Sequence, residues 1–251
     1  AFSQALWTPN GVPVCVRPTC SGFYPQVIPD LAGGVIMRWD RNPIDEQVYA
    51  KRLLVNGTTP PGWLPQGSLV VGAMGDQYGT DIVSDGSGGA FVVWDDRRVV
   101  LSNGTDVYAQ HVLANGQIAP GWPVDGLPIG VTPGTEQRGS LLADGAGGVF
   151  LFWESGSSEI RAQHLAGDGT RVTGWPEGGL VVRSIPGTSS GGPLAGADGQ
   201  GGCFVVWGDS RNQTIYAEIF GQHVSWGGML DPVWPTNGKL IATGYGNGRR
   251  G

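Results

Sequence analysis

The feature that most constrains this chain is an internal repeat, in which an Asp and a pair of glycines precede an apolar run that ends in tryptophan. Four copies of this motif occur, and their Asp residues are 55, 59 and 54 residues apart. A repeat of this length indicates one supersecondary unit that stacks against its neighbours, because a single unit cannot bury its apolar face alone. The motifs run from Asp30 to Trp39, from Asp85 to Trp94, from Asp144 to Trp153 and from Asp198 to Trp207.

A second motif, Trp-x-Pro-x-Gly or Trp-Pro-x-x-Gly, recurs with the same period but five times. A third marker, a Gln or Lys twelve residues before the tryptophan, accompanies the last four copies. Nine of the ten tryptophans fall on these two registers, and only Trp226 lies outside them, so the repeat is not a chance pattern. The second motif begins at Trp7, Trp63, Trp122, Trp175 and Trp234, and the third marker is Lys51, Gln110, Gln163 and Gln222.

Each repeat predicts four short antiparallel strands. The glycines of the Asp-Gly-x-Gly-Gly turn supply the positive φ that a tight hairpin needs. The run that follows, such as 90–94, is apolar at every position, which is typical of a strand buried on both faces. A four-stranded sheet with such a strand must lie between two neighbours, as in a β-propeller. We predict an all-β, propeller-like fold of four four-stranded antiparallel blades, with a parallel β-solenoid as the structural alternative.

The predicted organisation is a single repeat domain over residues 1–251. It comprises a terminal strand at 1–21 and repeats at 22–76, 77–135, 136–188 and 189–251. Four copies of the first three strands therefore stand beside five copies of the Trp-Pro-Gly strand. The surplus N-terminal strand does not fit a closed four-blade ring, so it pairs elsewhere or the chain forms part of a larger ring or array.

Charge and composition argue against two classes of partner. The net charge is −6 and only two residues are lysines, whereas a nucleic-acid-binding protein needs clustered positive charge. No apolar run approaches the roughly 18 residues that indicate a membrane-spanning helix, so we expect no membrane insertion.

Cysteines and Asn-X-Thr sequences suggest modification sites. Cys15 and Cys20 enclose a short loop and are a candidate disulfide, whereas Cys203 lies in an apolar strand and is predicted to be buried. The cysteine spacing fits neither a zinc site nor haem attachment, and we expect no cofactor. Candidate glycosylation sites are Asn56, Asn103 and Asn212, with turn chemistry as the alternative at the two Asn-Gly pairs.

The sequence of the repeat resembles the repeats of a known group of proteins. Residues 85–128 read Asp-Gly-Ser-Gly-Gly-Ala-Phe-Val-Val-Trp-Asp-Asp-Arg-Arg, then Asp-Val-Tyr-Ala-Gln-His-Val and Gly-Trp-Pro-Val-Asp-Gly-Leu-Pro. This resembles the repeats of large secreted bacterial surface proteins, and residues 7–15 match the fourth-strand sequence of the same family. The resemblance covers about residues 7–243. It implies a propeller-like repeat with a secreted, extracellular location, and it implies little about activity.

The histidines and the Asp residues of the hairpins recur with the repeat. His111, His164 and His223 all lie eleven residues before a repeat tryptophan, so we interpret them as one structural position that bonds locally. The hairpin Asp residues are expected to accept hydrogen bonds from backbone amides two residues on. Calcium bound in these turns is the alternative, because carboxylates and loop carbonyls suit a hard cation.

Carboxylates also follow the tryptophan of the second strand. We interpret them as local Asp–Arg pairs, because a residue present in every copy is a poor candidate for a unique catalyst, and a glycosidase needs one particular pair. We therefore predict no catalytic residue and no metal site. The set comprises Asp40, Asp95, Asp96, Glu154 and Asp209.

Differences between the copies predict where binding occurs, because the loops on one face of a propeller carry its specificity. We predict a non-enzymatic scaffold that binds protein subunits or glycans through blade loops and self-assembles into a homo-oligomer by exchange of the terminal strand. The alternatives are a carbohydrate-binding propeller lectin and a propeller-class glycoside hydrolase. The candidate binding residues are Trp226, Tyr216, Phe220, Arg97 and Asp96.

Overall fold

The computed structural model describes residues 10–15, 22–41, 47–100, 104–188, 190–212 and 217–243. These residues form four separate four-stranded antiparallel sheets, so the predicted all-β, propeller-like fold is confirmed. Each sheet lies within one predicted repeat, and its strands follow one another in chain order from the innermost strand to the outer edge.

The strands have these bounds. The first blade contains β1 (Gly22–Pro29), β2 (Val35–Arg41), β3 (Gln47–Leu53) and β4 (Ser68–Leu69); the second contains β5 (Gln77–Ser84), β6 (Ala90–Asp96), β7 (Asp106–Val112) and β8 (Leu127–Gly130). The third contains β9 (Glu136–Ala143), β10 (Val149–Ser155), β11 (Glu159–Leu165) and β12 (Leu180–Ser184), and the fourth β13 (Ser190–Ala197), β14 (Cys203–Asp209), β15 (Glu218–Val224) and β16 (Lys239–Ala242).

The three repeated markers meet within each blade. The repeat tryptophan in the second strand packs on the glycine of the Trp-Pro-Gly motif, and a Cβ atom at Gly126 would lie only 2.4 Å from Cη2 of Trp94. The third marker braces the same motif, since Nε2 of Gln110 donates to the carbonyl oxygen of Pro123 at 2.7 Å. Equivalent contacts join Trp39 to Gly67, Trp153 to Gly179 and Trp207 to Gly238, as well as Lys51 to Pro65, Gln163 to Pro176 and Gln222 to Pro235.

Adjacent blades bury the apolar runs against each other in three similar cores. Alternate residues of β6 face opposite neighbours, with Val92 and Trp94 packed against the first blade and Phe91 and Val93 against the third. Complete burial of such a side chain contributes about 1.5–3 kcal/mol. The third core joins Phe150, Phe152, Ile160 and Ala162 to Cys203, Val205 and Trp207.

The tryptophans of the Trp-Pro-Gly motif tie each blade to the next. The indole Nε1 of Trp63 donates to the carbonyl oxygen of Ala114 at 2.9 Å. Trp122 and Trp175 repeat this bond to carbonyl oxygens of the third and fourth blades. The motif thus makes contacts both within its own blade and with the next blade.

The hairpin Asp residues fasten the turn and the third strand together. Oδ1 of Asp85 accepts from the backbone N–H groups of Ser87 and Gly89, while its Oδ2 lies 3.0 Å from Nε2 of His111. In the first repeat Arg52 replaces the histidine and contacts Asp30 at 2.9 Å. His164 with Asp144 and His223 with Asp198 complete the series.

The ring of blades is open within the described residues. Innermost strands pack in succession, β1 against β5, β5 against β9 and β9 against β13, and no comparable packing joins β13 to β1 in this part of the chain. Most of the predicted surplus strand lies outside the described residues. The described residues 10–15 contain no strand, and the carbonyl oxygen of Val14 accepts from Nζ of Lys51 at 2.8 Å.

Two sequence expectations concern cysteines. Cys15 is disulfide-bonded, and its predicted partner Cys20 lies outside the described residues. Cys203 is a free thiol buried between the third and fourth blades. Among the ranges given above, no helix is long and apolar enough to cross a membrane.

Candidate functional site

A cavity of about 400 Å³ lies where the innermost strands of all four blades converge. Asp81 and Arg138 are its charged lining residues. Concave sites with a few convergent polar groups are the usual location of ligand binding in a protein. The remaining lining residues are small or uncharged: Gln26, Thr80, Gly139, Ser140, Gly192, Pro193 and Leu194.

This cavity lies in the central channel between the innermost strands. The pairing register of every innermost strand is interrupted beside it. The pairing with the second strand shifts after Phe23, after Gly79, between Gln137 and Ser140, and after Gly191. Tyr24 and Arg138 occupy the same bulge position in the first and third blades, and both have positive φ, 51° and 55°. A non-glycine residue in this region costs about 1–3 kcal/mol, and such strain clusters at functional sites.

Three carboxyl groups surround the bulges from the second strands. They occupy the position directly after the repeat tryptophan, as Asp40, Asp95 and Glu154, while the fourth copy has Gly208. Both oxygens of Asp40 lie within 3.2 Å of the backbone N of Gly79 in the next blade. Asp40 and Asp95 thus accept from the bulged innermost strand of the next blade, and Glu154 accepts from Gln137 and Arg138 in that of its own blade.

Asp95 has the most perturbed carboxyl group of this set. Burial raises its pKa to about 6, although the backbone N–H groups of Arg138 and Gly139 donate to it and oppose the shift. Its Oδ1 atom is buried and has no hydrogen-bond partner in the described part of the chain. A carboxyl group with a pKa near 6 exchanges a proton at nearly neutral pH, as general acids require.

Two further carboxyl groups lie close to the cavity. Burial raises the pKa of Asp81, whose oxygens accept from the backbone N–H groups of Leu141 and Ile82. Burial also raises the pKa of Glu154, although Nη1 of Arg138 lies 3.1 Å from its Oε1. The Arg138 side chain is 57% exposed, so it lies between the buried Glu154 carboxyl group and the solvent in the channel.

Aromatic side chains stand beside the bulge of the first blade. Tyr24 is 71% exposed and Phe23 is 49% exposed, and their ring centroids are 6.4 Å apart. Exposed rings next to polar groups provide an apolar surface with a polar edge. Sequence analysis missed both residues, as well as Asp81 and Arg138, although a Gly or Pro at each bulge was a usable signal: Pro25, Gly79, Gly139 and Gly192-Pro193.

Four of the five candidate binding residues predicted from the sequence lie within the described residues, and these four do not line the channel cavity. The carbonyl oxygen of Trp226 accepts from Trp175, and its ring packs edge-on against His164. Phe220 is buried in the core under Arg211. Asp96 is buried and accepts from Trp94 and Arg98, Arg97 is exposed over the Tyr78 ring, and Tyr216 lies outside the described residues.

The candidate glycosylation sites differ in their surroundings. Oδ1 of Asn56 accepts from the backbone N–H and the hydroxyl of Thr58, which is the geometry of an Asx turn. Nδ2 of Asn212 donates to Glu218, and Asn103 lies outside the described residues. Glycosylation at these positions stays a prediction.

No group of three or more His, Cys, Asp or Glu side chains in the described residues is arranged to hold a metal ion. The hairpin carboxylates are engaged instead by backbone amides and by His or Arg side chains, as at Asp144. Calcium in these turns therefore stays an untested alternative. A second cavity, of about 490 Å³, opens between the hairpins of the first three repeats.

A solved structure shares this fold. Over 91% of this chain and 70% of the other, it superposes on an α-L-arabinanase from Penicillium chrysogenum complexed with arabinobiose, with a TM-score of 0.54 and 13% identity. An endo-arabinase from Bacteroides thetaiotaomicron matches 92% of this chain and 84% of its own, with a TM-score of 0.49 and 15% identity. No protein-family model and no curated protein sequence matches the chain. The likeness establishes a propeller-like fold related in shape to five-bladed glycoside hydrolases.

This likeness corrects the predicted function. The expectation of a non-enzymatic structural scaffold that assembles by strand exchange was wrong, because the fold is one that glycan-cleaving enzymes use. In a ring, equivalent positions of successive blades converge on one axis, so Asp40, Asp95 and Glu154 surround a single site even though each belongs to a different copy.

Proposed function

We propose that this protein binds glycan chains at the mouth of its central channel and hydrolyses a glycosidic bond there. The observation that carries the proposal is Asp95, whose pKa of about 6 and unpartnered Oδ1 lie directly behind the cavity wall formed by Arg138 and Gly139. A glycosidase needs one carboxylic acid that stays protonated near neutral pH and one ionised carboxylate.

The channel offers a group for each role. Asp95 is the proposed acid: its proton goes to the leaving glycosidic oxygen as the C–O bond breaks, which requires the wall of Arg138 and Gly139 in front of its buried Oδ1 to move aside. Asp81 is the proposed ionised partner that activates the attacking water; burial raises its pKa, and the backbone N–H groups of Leu141 and Ile82 oppose that shift. Arg138 is placed to contact sugar hydroxyls while it holds Glu154 in position.

The aromatic pair at the first blade supports a sugar as the ligand. The rings of Phe23 and Tyr24 are exposed beside the channel, and sugar rings present C–H faces that pack on aromatic surfaces. The arabinanase that shares the fold was solved with arabinobiose, so arabino-oligosaccharides are the first probes. A secreted, extracellular location is part of this proposal, since polymeric glycans are met outside the cell.

Two glycine variants in one strand test where the glycan binds. Gly192 lines the cavity and its φ is not positive. Among the described residues, the only atom within 4 Å of an added Cβ is Cδ of Arg138 at 3.9 Å, so a phenylalanine fits there and fills the cavity. Gly196 has open space around it and lies outside the cavity lining. Calorimetric titration with arabinotriose is expected to show binding to wild type and Gly196→Phe, and none to Gly192→Phe.

The titration also has outcomes against the proposal. Equal affinity in all three proteins would remove the channel as the binding site. Absence of binding to arabino-, xylo- and gluco-oligosaccharides by the wild type would remove the glycan proposal. Binding without any release of reducing ends would leave a lectin and contradict the hydrolase.

A further inference from the structure

The fourth blade presents an apolar face that its counterparts bury completely. Phe204 is 42% exposed, whereas Phe91 and Phe150, at the same position of the second and third blades, are 0% and 1% exposed. Ile219 is 40% exposed, whereas its counterparts Val107 and Ile160 are 1% and 0% exposed. The sequence of this face is therefore one that the other blades use only in contact with a following blade.

The last tryptophan of the Trp-Pro-Gly series lacks the bond that the others make. Trp63, Trp122 and Trp175 each donate from Nε1 to a carbonyl oxygen of the following blade. Trp234 packs beside Phe204 and under Lys239, and no described residue accepts from its Nε1. The missing acceptor belongs to a position that a following blade would fill.

The first blade, on the other side of the opening between β13 and β1, also exposes an apolar residue that its counterparts bury. Val27 of β1 is 63% exposed, whereas its counterparts Ile82 and Leu141 are 4% and 6% exposed against a preceding blade. At the outer edge of this side, Nζ of Lys51 donates to the carbonyl oxygen of Val14, three residues after Gly11, the last residue of the N-terminal Trp-Pro-Gly motif. In the four described blades that motif directly precedes the outermost strand.

We infer that the opening between β13 and β1 is the docking position of a fifth blade of the same repeat type. The segment that follows the N-terminal Trp-Pro-Gly motif supplies its outermost strand, and three further strands with an Asp-Gly-x-Gly-Gly hairpin and an apolar run supply the rest. Its apolar run covers Phe204 and Ile219 as β10 covers Phe91, and its hairpin side accepts the Trp234 indole. The arabinanase with this fold belongs to a five-bladed class, and this chain covers 70% of it.

An extended chain tests the inference. A copy of residues 136–168, which contain β9–β11, is placed directly before Ala1, so that it joins Trp7 with the spacing that joins the original to Trp175. The control carries the same extension with Gly-Ser sequence in place of the copied 149–153 run. We expect the extended chain to melt at least about 5 °C above the control, since a blade interface adds several buried side chains.

Single substitutions show whether the added strands reach the predicted face. Phe204→Ser and Trp234→Phe are expected to lower Tm at least about twice as much in the extended chain as in the original chain, because only there are both residues covered. Equal Tm values for the extended chain and its control, or equal costs of Phe204→Ser in both chains, would overturn the inference. Rapid proteolysis of the added strands while residues 22–243 stay folded would also overturn it.

Discussion

The indole of Trp94 lies directly on the α-carbon of Gly126. A Cβ atom at Gly126 would be 2.4 Å from Cη2 of the ring, and the backbone there has φ of +91°. The two most regular sequence markers therefore specify each other, because the tryptophan needs a partner without a side chain. The same pairing in all four blades fixes the outermost strand against the core.

This contact predicts how much a methyl group added at Gly126 lowers the free energy of unfolding. Gly126→Ala is expected to destabilise the protein by about 2–5 kcal/mol, from the steric overlap together with the positive φ. Gly86→Ala is the matched control, because Gly86 has a similar φ of +81° and nothing within 4 Å of its added Cβ. Urea unfolding followed by tryptophan fluorescence measures both, and equal costs would show that backbone strain alone matters.

A substitution of Tyr24 is expected to weaken sugar binding without lowering the stability of the protein. Tyr24→Gly removes the positive-φ strain and is expected to leave stability unchanged or raise it by about 1 kcal/mol. The same change removes the exposed ring, so affinity for arabinotriose is expected to fall about tenfold, or about 1.4 kcal/mol. Leu31→Gly is the control, since Leu31 has φ of +62° and lies in the first hairpin, away from the channel cavity. Unchanged affinity in Tyr24→Gly would exclude sugar stacking at this ring.

The His223–Asp198 pair predicts a pH window of greatest stability. The hydrogen bond to Asp198, opposed by partial burial, raises the pKa of His223, and Asp231 on the other ring nitrogen adds to the effect. The hydrogen bond from His223 lowers the pKa of Asp198. The histidine contribution is complete below about pH 6.5 and is lost as pH rises through the folded pKa. The Asp contribution is complete above about pH 4 and is lost as pH falls through its lowered pKa.

The His223–Asp198 pair therefore contributes most to Tm between about pH 4 and pH 6.5, and its share is the difference in Tm between wild type and His223→Gln measured from pH 3 to pH 9. His223→Gln keeps a hydrogen-bonding side chain but cannot ionise, and it is expected to remove most of the decline above pH 6.5. A decline of the same size in the variant would assign the effect to other groups.

The fold followed from the sequence further than the site did. The hairpin glycines, the apolar runs and the tryptophan registers are local patterns, so they predicted the four sheets. The bulges at Tyr24 and Arg138 depend on how β1 and β9 pair with their neighbours, and nothing local specifies that pairing. The perturbed pKa of Asp95 arises from burial beneath the next blade, which only the assembled ring produces.

Release of reducing ends from a linear arabino-oligosaccharide, measured between pH 4 and pH 9, tests the central claim most directly. Because Asp95 must be protonated to act as the acid, the wild-type rate is expected to fall as pH rises through about 6. Asp95→Asn is expected to lose at least about 100-fold in kcat while it still binds arabinotriose. A wild-type protein that binds the oligosaccharide and releases no reducing ends, or an Asp95→Asn variant with the wild-type rate, would contradict the account.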